Sequence, residues 1–432
     1  MTASPHRPGI RFLSGCLFGL FLLTGCPTSR KTGDHIQVLR VWSHQGQEAE
    51  NLALRGIAEG FNRAHAAEGF QVELDFFPDY QYTEKLSIAA AGRDLPDVFD
   101  VDGPTVAQFA DAGLLRNLKV LLPDFPFDDF QPAILAQGTY RDTLYALGAY
   151  DSALVLYGDR NMLEAAGVQL PKGNSAWTWD EFRNALQKLK NAGIQPISLH
   201  MQISADEWFT YAFSPLIWSG GGQLISADGR KTEGVLNHPH NVKTLQKWQT
   251  LFTEGLARTS PVDPNPFGTG ETALDWNGHW MAQSHLDAKG EKLIILPLPR
   301  IGEHPSAASG SWCWAVSTHT TQPEASAAWL RWVLDPEKGI LPMVQANGAL
   351  PSRASAYPQL PRFSKPPFST FRTLQEHHAR ARPRTPVYPN LTRSFAAALR
   401  DIANGADVQD SLNQSANSVQ RILDRRPPED SK

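Results

Sequence analysis

Residues 36–101 open on Ile36-Gln37-Val38-Leu39-Arg40-Val41-Trp42 and close on Pro96-Asp97-Val98-Phe99-Asp100-Val101, and the pattern between these two β-rich runs decides the fold class. Leu54, Ile57, Ala58 and Phe61 stand at i, i+3, i+4 and i+7, the spacing of one buried helical stripe. Phe70, Val72, Leu74 and Phe76 then alternate, as the inward residues of a strand do. A further helix is predicted from about Tyr82 to Ala91. The order β-α-β-α-β builds a parallel-type sheet flanked by helices.

The same alternation returns downstream. Thr178-Trp179-Asp180-Glu181 has the form of a capping box, Thr178 as N-cap and Glu181 three residues on. The helix it opens buries Phe182, Leu186 and Leu189 and stops at Gly193, before a strand at Gln195 to Leu199. Pro323 starts a helix with Ala325, Ala328, Trp329 and Trp332 on its apolar face. Pro358 to Pro389, rich in Pro, Arg and His, reads as irregular, and two helices are predicted near Leu391–Ile402 and Val408–Leu423. The tail at Arg425-Arg426-Pro427-Pro428 reads as frayed.

At the N-terminus, His6, Arg7 and Arg11 precede the apolar run Phe12 to Leu23, which has signal-peptide length and is too short to span a bilayer. Leu23-Thr24-Gly25-Cys26 resembles the bacterial lipobox, so residues 1–25 read as a lipoprotein signal and Cys26 as the lipidated first residue of the mature chain. A plain secretory signal with an incidental cysteine is the alternative. Residues 26–35 read as a polar tether. With Cys16 removed and Cys26 lipidated, Cys313 has no disulfide partner, and Trp312 and Trp314 beside it mark it as a small buried residue.

The 432-residue chain carries a formal charge of −4, and losing Arg7 and Arg11 with the signal makes the mature chain more acidic. That length points to two domains. An acidic surface without basic runs excludes nucleic acid as a partner. Twelve tryptophans, all after residue 26, exceed what a core needs and suit a carbohydrate cleft, because sugar C–H faces stack on indole rings. No dinucleotide fingerprint, phosphate loop, nucleophile elbow or metal-ligand spacing is present, so no cofactor, metal or catalytic residue is expected.

Several blocks in order resemble the extracellular solute-binding proteins of bacterial ABC-type sugar importers, in the maltose-binding-like cluster. They are Leu95-Pro96-Asp97-Val98-Phe99 with Asp102, Leu144 to Leu147, Leu156-Tyr157-Gly158-Asp159-Arg160-Asn161, Trp177 to Phe182, and Gly270 to Leu274 with Asn277-Gly278-His279-Trp280. Leu296 to Pro299 with Ser309 to Trp312, Asn347 to Arg353, and Arg380 to Tyr388 continue the series. Leu147-Gly148-Ala149-Tyr150-Asp151 departs from the family, which has a proline there.

The resemblance implies a two-lobed, type II periplasmic-binding-protein fold with the ligand in an interlobe cleft. One lobe would comprise residues 36–148 plus about 299–334, the other about 149–298 plus 335–432. Ligands of open α/β sheets lie at strand carboxyl ends. The candidate ligand residues are therefore Trp42, His44, Tyr80, Tyr82, Asp102, Tyr150, Asp151, Trp208, Trp218, Trp276, Asn277, Trp280, Trp312 and Arg353. Trp280 is the first choice as a stacking platform, and Asp102 and Asp151 as acceptors of paired hydroxyls. Core packing for each indole, helix capping for His44 and a hinge salt bridge for Arg353 stay open beside these roles.

The implied function is non-catalytic: a monomeric, membrane-tethered lipoprotein of the cell envelope that captures a sugar and hands it to an ABC permease. A secreted glycoside hydrolase, using two of the cleft carboxylates, and a sugar-sensing lipoprotein that feeds a receptor are the alternatives.

Overall fold

The computed structural model describes residues 36–173, 175–260 and 263–426, without the side chains of Asp79 and Tyr80. The signal segment, Cys26, the tether and residues 427–432 lie outside the described residues.

The strands that position the site are β1 (Gln37–Gln45), β2 (Phe70–Pro78), β3 (Val98–Asp102), β4 (Ala146–Gly148), β5 (Leu154–Asp159), β6 (Gln195–Ser198), β7 (Thr272–Gly278), β8 (Leu293–Leu296) and β9 (Trp312–Val316). The helices are α1 (Glu48–Ala64), α2 (Asp79–Gly92), α3 (Trp179–Asn191), α4 (Asp206–Ser219), α5 (Pro239–Thr253), α6 (Pro323–Val333), α7 (Ser369–His377), α8 (Tyr388–Ala403) and α9 (Val408–Leu423). Two sheets result, one in each lobe. The first has the order β2-β1-β3-β9-β4 and the second β8-β5-β7-β6.

Each sheet contains one reversed strand, which refines the parallel-type expectation. In the first, β9 runs antiparallel to β3 and β4; in the second, β5 runs antiparallel to β7 and β8. Both reversed strands follow a crossing between the sheets. A chain arriving from the other lobe enters its new sheet at the cleft and must run away from it, whereas the other strands run toward it. The cleft therefore receives the carboxyl ends of β1, β3 and β7 and the amino ends of β5 and β9.

Local chemistry accounts for the elements. Leu54, Ile57, Ala58 and Phe61 are buried along α1 as their spacing requires. Thr178 caps α3 through the reciprocal bonds of a capping box with Glu181. The region read as irregular contains α7 and a short strand, Ala379–Ala381, paired to Ala307–Ser309. Phe371 and Leu374 bury one face of α7, and long-range pairing supplies the strand, so composition alone concealed both.

Helix α4 carries Pro215 in its interior and is buried on nearly every side, with a weak amphipathic pattern. One core gathers α3, α4, α5, α8 and α9 around β6 and β7; another joins β1, α1 and α6. Residues in 340–374, assigned on sequence to the second lobe, lie in that second core with β1 and α1, which also takes Tyr157 of β5 and Ile295 of β8. Among the described residues no helix is long and apolar enough to cross a membrane.

Candidate ligand-binding cleft

A cleft of about 710 Å³ opens where the strand ends meet. That volume lies within the usual range for small-molecule sites. Its first-lobe wall begins at the end of β1. Asp100, 3% exposed on β3, accepts from Ser43 Oγ (2.7 Å), from the His44 amide (3.0 Å) and from His44 Nδ1 (2.7 Å). This fixes the imidazole, whose face stacks on Trp312 with centroids 4.1 Å apart and planes 8° from parallel. Glu50, in the first turn of α1, accepts from Tyr150 Oη at 2.6 Å and from Asn347 Nδ2 at 3.3 Å. His44 does not cap α1, whose N-cap position is Gln47.

On the opposite side, Trp280 leaves the end of β7 and folds back over Gly278. A Cβ on that glycine would meet the indole at 2.1 Å, so residue 278 must lack a side chain. Trp280 packs on Tyr211 of α4 at 5.7 Å. His279 is buried beside it, and burial pushes its imidazole down to about 3, so the ring is neutral at physiological pH.

Arg382 joins the two walls. Its guanidinium pairs with both oxygens of Asp102 (2.7 and 2.8 Å) and with Glu207 in the first turn of α4, and it lies over the Tyr211 ring. Tyr388 Oη donates to Glu207 at 2.6 Å. Burial raises the Glu207 carboxyl to about 7 against the pull of Arg382. Burial also works against the charge of Arg382, but Asp102 and Glu207 outweigh it and hold the guanidinium protonated.

Of the sequence candidates, His44, Asp102, Tyr150, Trp208, Trp280 and Trp312 line this cleft. The side chain of Tyr80 lies outside the described atoms. The remaining candidates are placed elsewhere. Trp42 and Tyr82 sit in the core beneath the first sheet, Trp42 packed on Phe77 at 4.9 Å and capped by Lys85. Trp218 and Trp276 are in the second-lobe core, with Trp276 Nε1 donating to the Ala212 carbonyl at 3.0 Å. Asn277 faces inward to Asp275 and His200.

Asp151 is fully buried at the crossing. It accepts from the amides of Ser152 (2.9 Å) and Gly310 (2.8 Å) and from Gln375 Nε2 (3.0 Å), so it braces two crossing segments and burial raises its pKa. Arg353 lies outside the cleft lining, where it pairs with Asp129 at 2.7 Å and donates to the Leu334 carbonyl.

Glu50, Glu207, Tyr211, His279, Arg382 and Tyr388 were not among the candidates. His279, Arg382 and Tyr388 fall in family blocks, which alone hinted at them; Glu50, Glu207 and Tyr211 fall in none, and α4 lacks a clear period.

Residues 45–340 match the family described as bacterial extracellular solute-binding protein. The chain belongs to that family. This solute-binding protein is 24% identical over 330 residues to the diacetylchitobiose binding protein DasA of Streptomyces coelicolor, covering 73% of each chain. It is 28% identical over 182 residues to an uncharacterized lipoprotein of Streptomyces antibioticus, covering 40% of this chain and only 38% of that one. The GacH receptor of Streptomyces glaucescens, solved unliganded and with acarbose, shares the fold with a TM-score of 0.79 at 20% identity, over 90% of this chain and 99% of its own. The solute-binding protein is thus a two-lobed, type II α/β structure, and its family and neighbours are binding proteins.

Proposed function

We propose that this protein captures a mono- or oligosaccharide between its lobes and delivers it to an ABC-type permease. The observation that carries the reading is that indoles line both walls of one cleft, Trp312 on the first and Trp280 and Trp208 on the second, among hydroxyl, carboxylate and guanidinium groups. Aromatic faces take the C–H side of a pyranose and the polar groups take its hydroxyls. Diacetylchitobiose and acarbose, in the descriptions of two similar proteins, are ligands of this chemistry. Closure of the lobes around the sugar, on the order of μs–ms, would form contacts from both walls at once.

The hydrolase reading is disfavoured. Retaining or inverting hydrolysis needs two carboxylates free to flank the scissile bond. Asp102 has both oxygens on Arg382, and Asp151 lies outside the cleft lining.

Export to the cell envelope follows from the family. Lipid on Cys26 is the finer proposal, supported by the lipobox-like Leu23-Thr24-Gly25-Cys26 and by the lipoprotein among the relatives. It would keep a monomeric binder near its permease. Mass spectrometry of the N-terminal peptide tests this, with diacylglyceryl on Cys26 expected and an unmodified cysteine overturning it. For the sugar, a thermal-shift screen of mono- and oligosaccharides should raise the unfolding midpoint for one class. A flat response to every sugar would sink the carbohydrate reading.

A further inference from the structure

We propose that Glu50 is the anchor of the cleft, its Oε2 accepting two adjacent donors of one sugar ring: a vicinal diol or a neighbouring hydroxyl and amine. The assignment rests on the sugar-capture reading and narrows it, because it excludes acidic sugars.

Glu50 is 7% exposed and yet belongs to the cleft lining. Its Oε1 is held by Tyr150 and Asn347, two donors from different segments that set the plane of the carboxylate. Its Oε2 accepts no hydrogen bond from the described residues and is not sealed from solvent. It stands over Gly46, another lining residue, at 2.3 Å from where a Cβ would lie. Any side chain at position 46 would therefore collide with this oxygen. The absence of one leaves room at the end of β1 for a largely buried acceptor whose partner oxygen is held in place.

The other carboxylates of the lining differ. Asp102 has both oxygens on Arg382, Glu207 is shared by Arg382 and Tyr388, Asp206 pairs with Arg400 at 2.7 Å, and Glu84 is exposed. Behind the wall, Asp100 bonds His44, and His44 Nε2 is 3.8 Å from Glu50 Oε1. Among the described residues no lysine or arginine bonds Asp100 or Glu50, so two buried carboxylates flank one imidazole. A buried wall with excess negative charge rewards donors, the more so if they are charged, and repels anions. The stacked His44–Trp312 pair beside it supplies the flat face against which the same ring can rest.

Calorimetric titration of the full-length mature protein with maltotriose, diacetylchitobiose, its free diamine chitobiose, and digalacturonate tests the assignment. The wild type should bind at least one of the first three and not the uronate. Preference for the diamine over the diacetyl form identifies the amine as one of the two donors, and the reverse rules the free amine out. Glu50→Gln should weaken the preferred sugar by roughly thirtyfold, the scale of a charge-assisted bond lost. Gly46→Ala, which keeps the charge and displaces Oε2, should weaken it by roughly tenfold or more. Tyr150→Phe, which loosens the carboxylate and leaves Oε2 in place, should cost only a few-fold. Sugar binding by Glu50→Gln or Gly46→Ala within threefold of wild type would overturn the anchor and leave sugar capture standing. Tight binding of digalacturonate would overturn it as well. If neither these sugars nor any in the thermal-shift screen binds wild type, the sugar-capture reading itself fails and the anchor falls with it.

Discussion

Two clusters of histidine and carboxylate, one in each lobe, are built from the same parts and end in opposite situations. In the first lobe, Asp100 on β3 holds His44, with Glu50 beyond it, and the group faces the cleft. In the second, Asp275 on β7 accepts from His200 Nε2 at 2.6 Å and His285 Nε2 at 2.8 Å, with Asn277 against the same carboxylate. Phe267 and Tyr157 pack edge-on to His285 and cover it, and although His200 stays part-exposed, no member of this cluster lines the cleft. His44 stands at the end of its strand, whereas Asp275 stands in the middle of one. A charged cluster at a strand end can serve a ligand; the same cluster under a sheet serves the fold.

The largest expected effect is on the second-lobe cluster. Asp275→Ala leaves the buried His285 and the part-buried His200 without their acceptor and should cost about 3–5 kcal/mol in urea unfolding, with sugar affinity of the folded fraction unchanged. Burial pushes the Asp275 carboxyl up, but His200 and His285 outweigh it and hold it well below the usual carboxylate range. Its stabilisation is therefore present above about pH 4 and is lost as the solution is acidified toward the folded pKa. An equal loss of sugar affinity at neutral pH would break the distinction between the two clusters.

Arg382→Met should come next, at about 2–4 kcal/mol, because it leaves the buried Asp102 without its ion pair and Glu207 with Tyr388 alone. Since its partners come from opposite walls, small-angle scattering of the sugar-free variant should also show a larger radius of gyration than wild type. An unchanged radius would mean that Arg382 braces one wall only.

Glu207 gives a smaller and pH-dependent signature. Its folded pKa, raised to about 7 mainly by burial, lies above that of an unfolded glutamate. The folded state therefore holds the proton more tightly, and stability declines as pH rises from about 4.5 through 7. Glu207→Gln should flatten that decline in thermal scans between pH 5 and 8. An unaltered slope would assign it to another group.

Trp312→Ala should have the least effect on stability and cost about 1 kcal/mol, or five- to tenfold, in sugar affinity. Trp314→Ala, two residues along the same strand and buried in the core, should do the reverse. Its cost should appear as about 3 kcal/mol of unfolding free energy.

That last pair shows where the sequence stops being legible. Trp312 and Trp314 share one face of β9, and Trp276 and Trp280 lie four residues apart around the end of β7. In each pair one indole is in the cleft lining and the other in a core. No local property separates them; the distance to the strand end does, and that end depends on how neighbouring strands pair. Asp102 was legible as a strand-end carboxylate. Its hold by Arg382, 280 residues away in the chain, was not.

By itself the sequence determined what short-range physics controls. The stripe along α1, the alternation of β2, the capping box of α3 and the order of family blocks follow from neighbours a few residues apart, and they specify two α/β lobes. Tertiary structure alone decided which strands reverse, which indoles reach the cleft and which carboxylates remain unpaired there. Those outcomes depend on contacts between segments far apart in the chain, each fixed only when the two sheets have formed and faced one another.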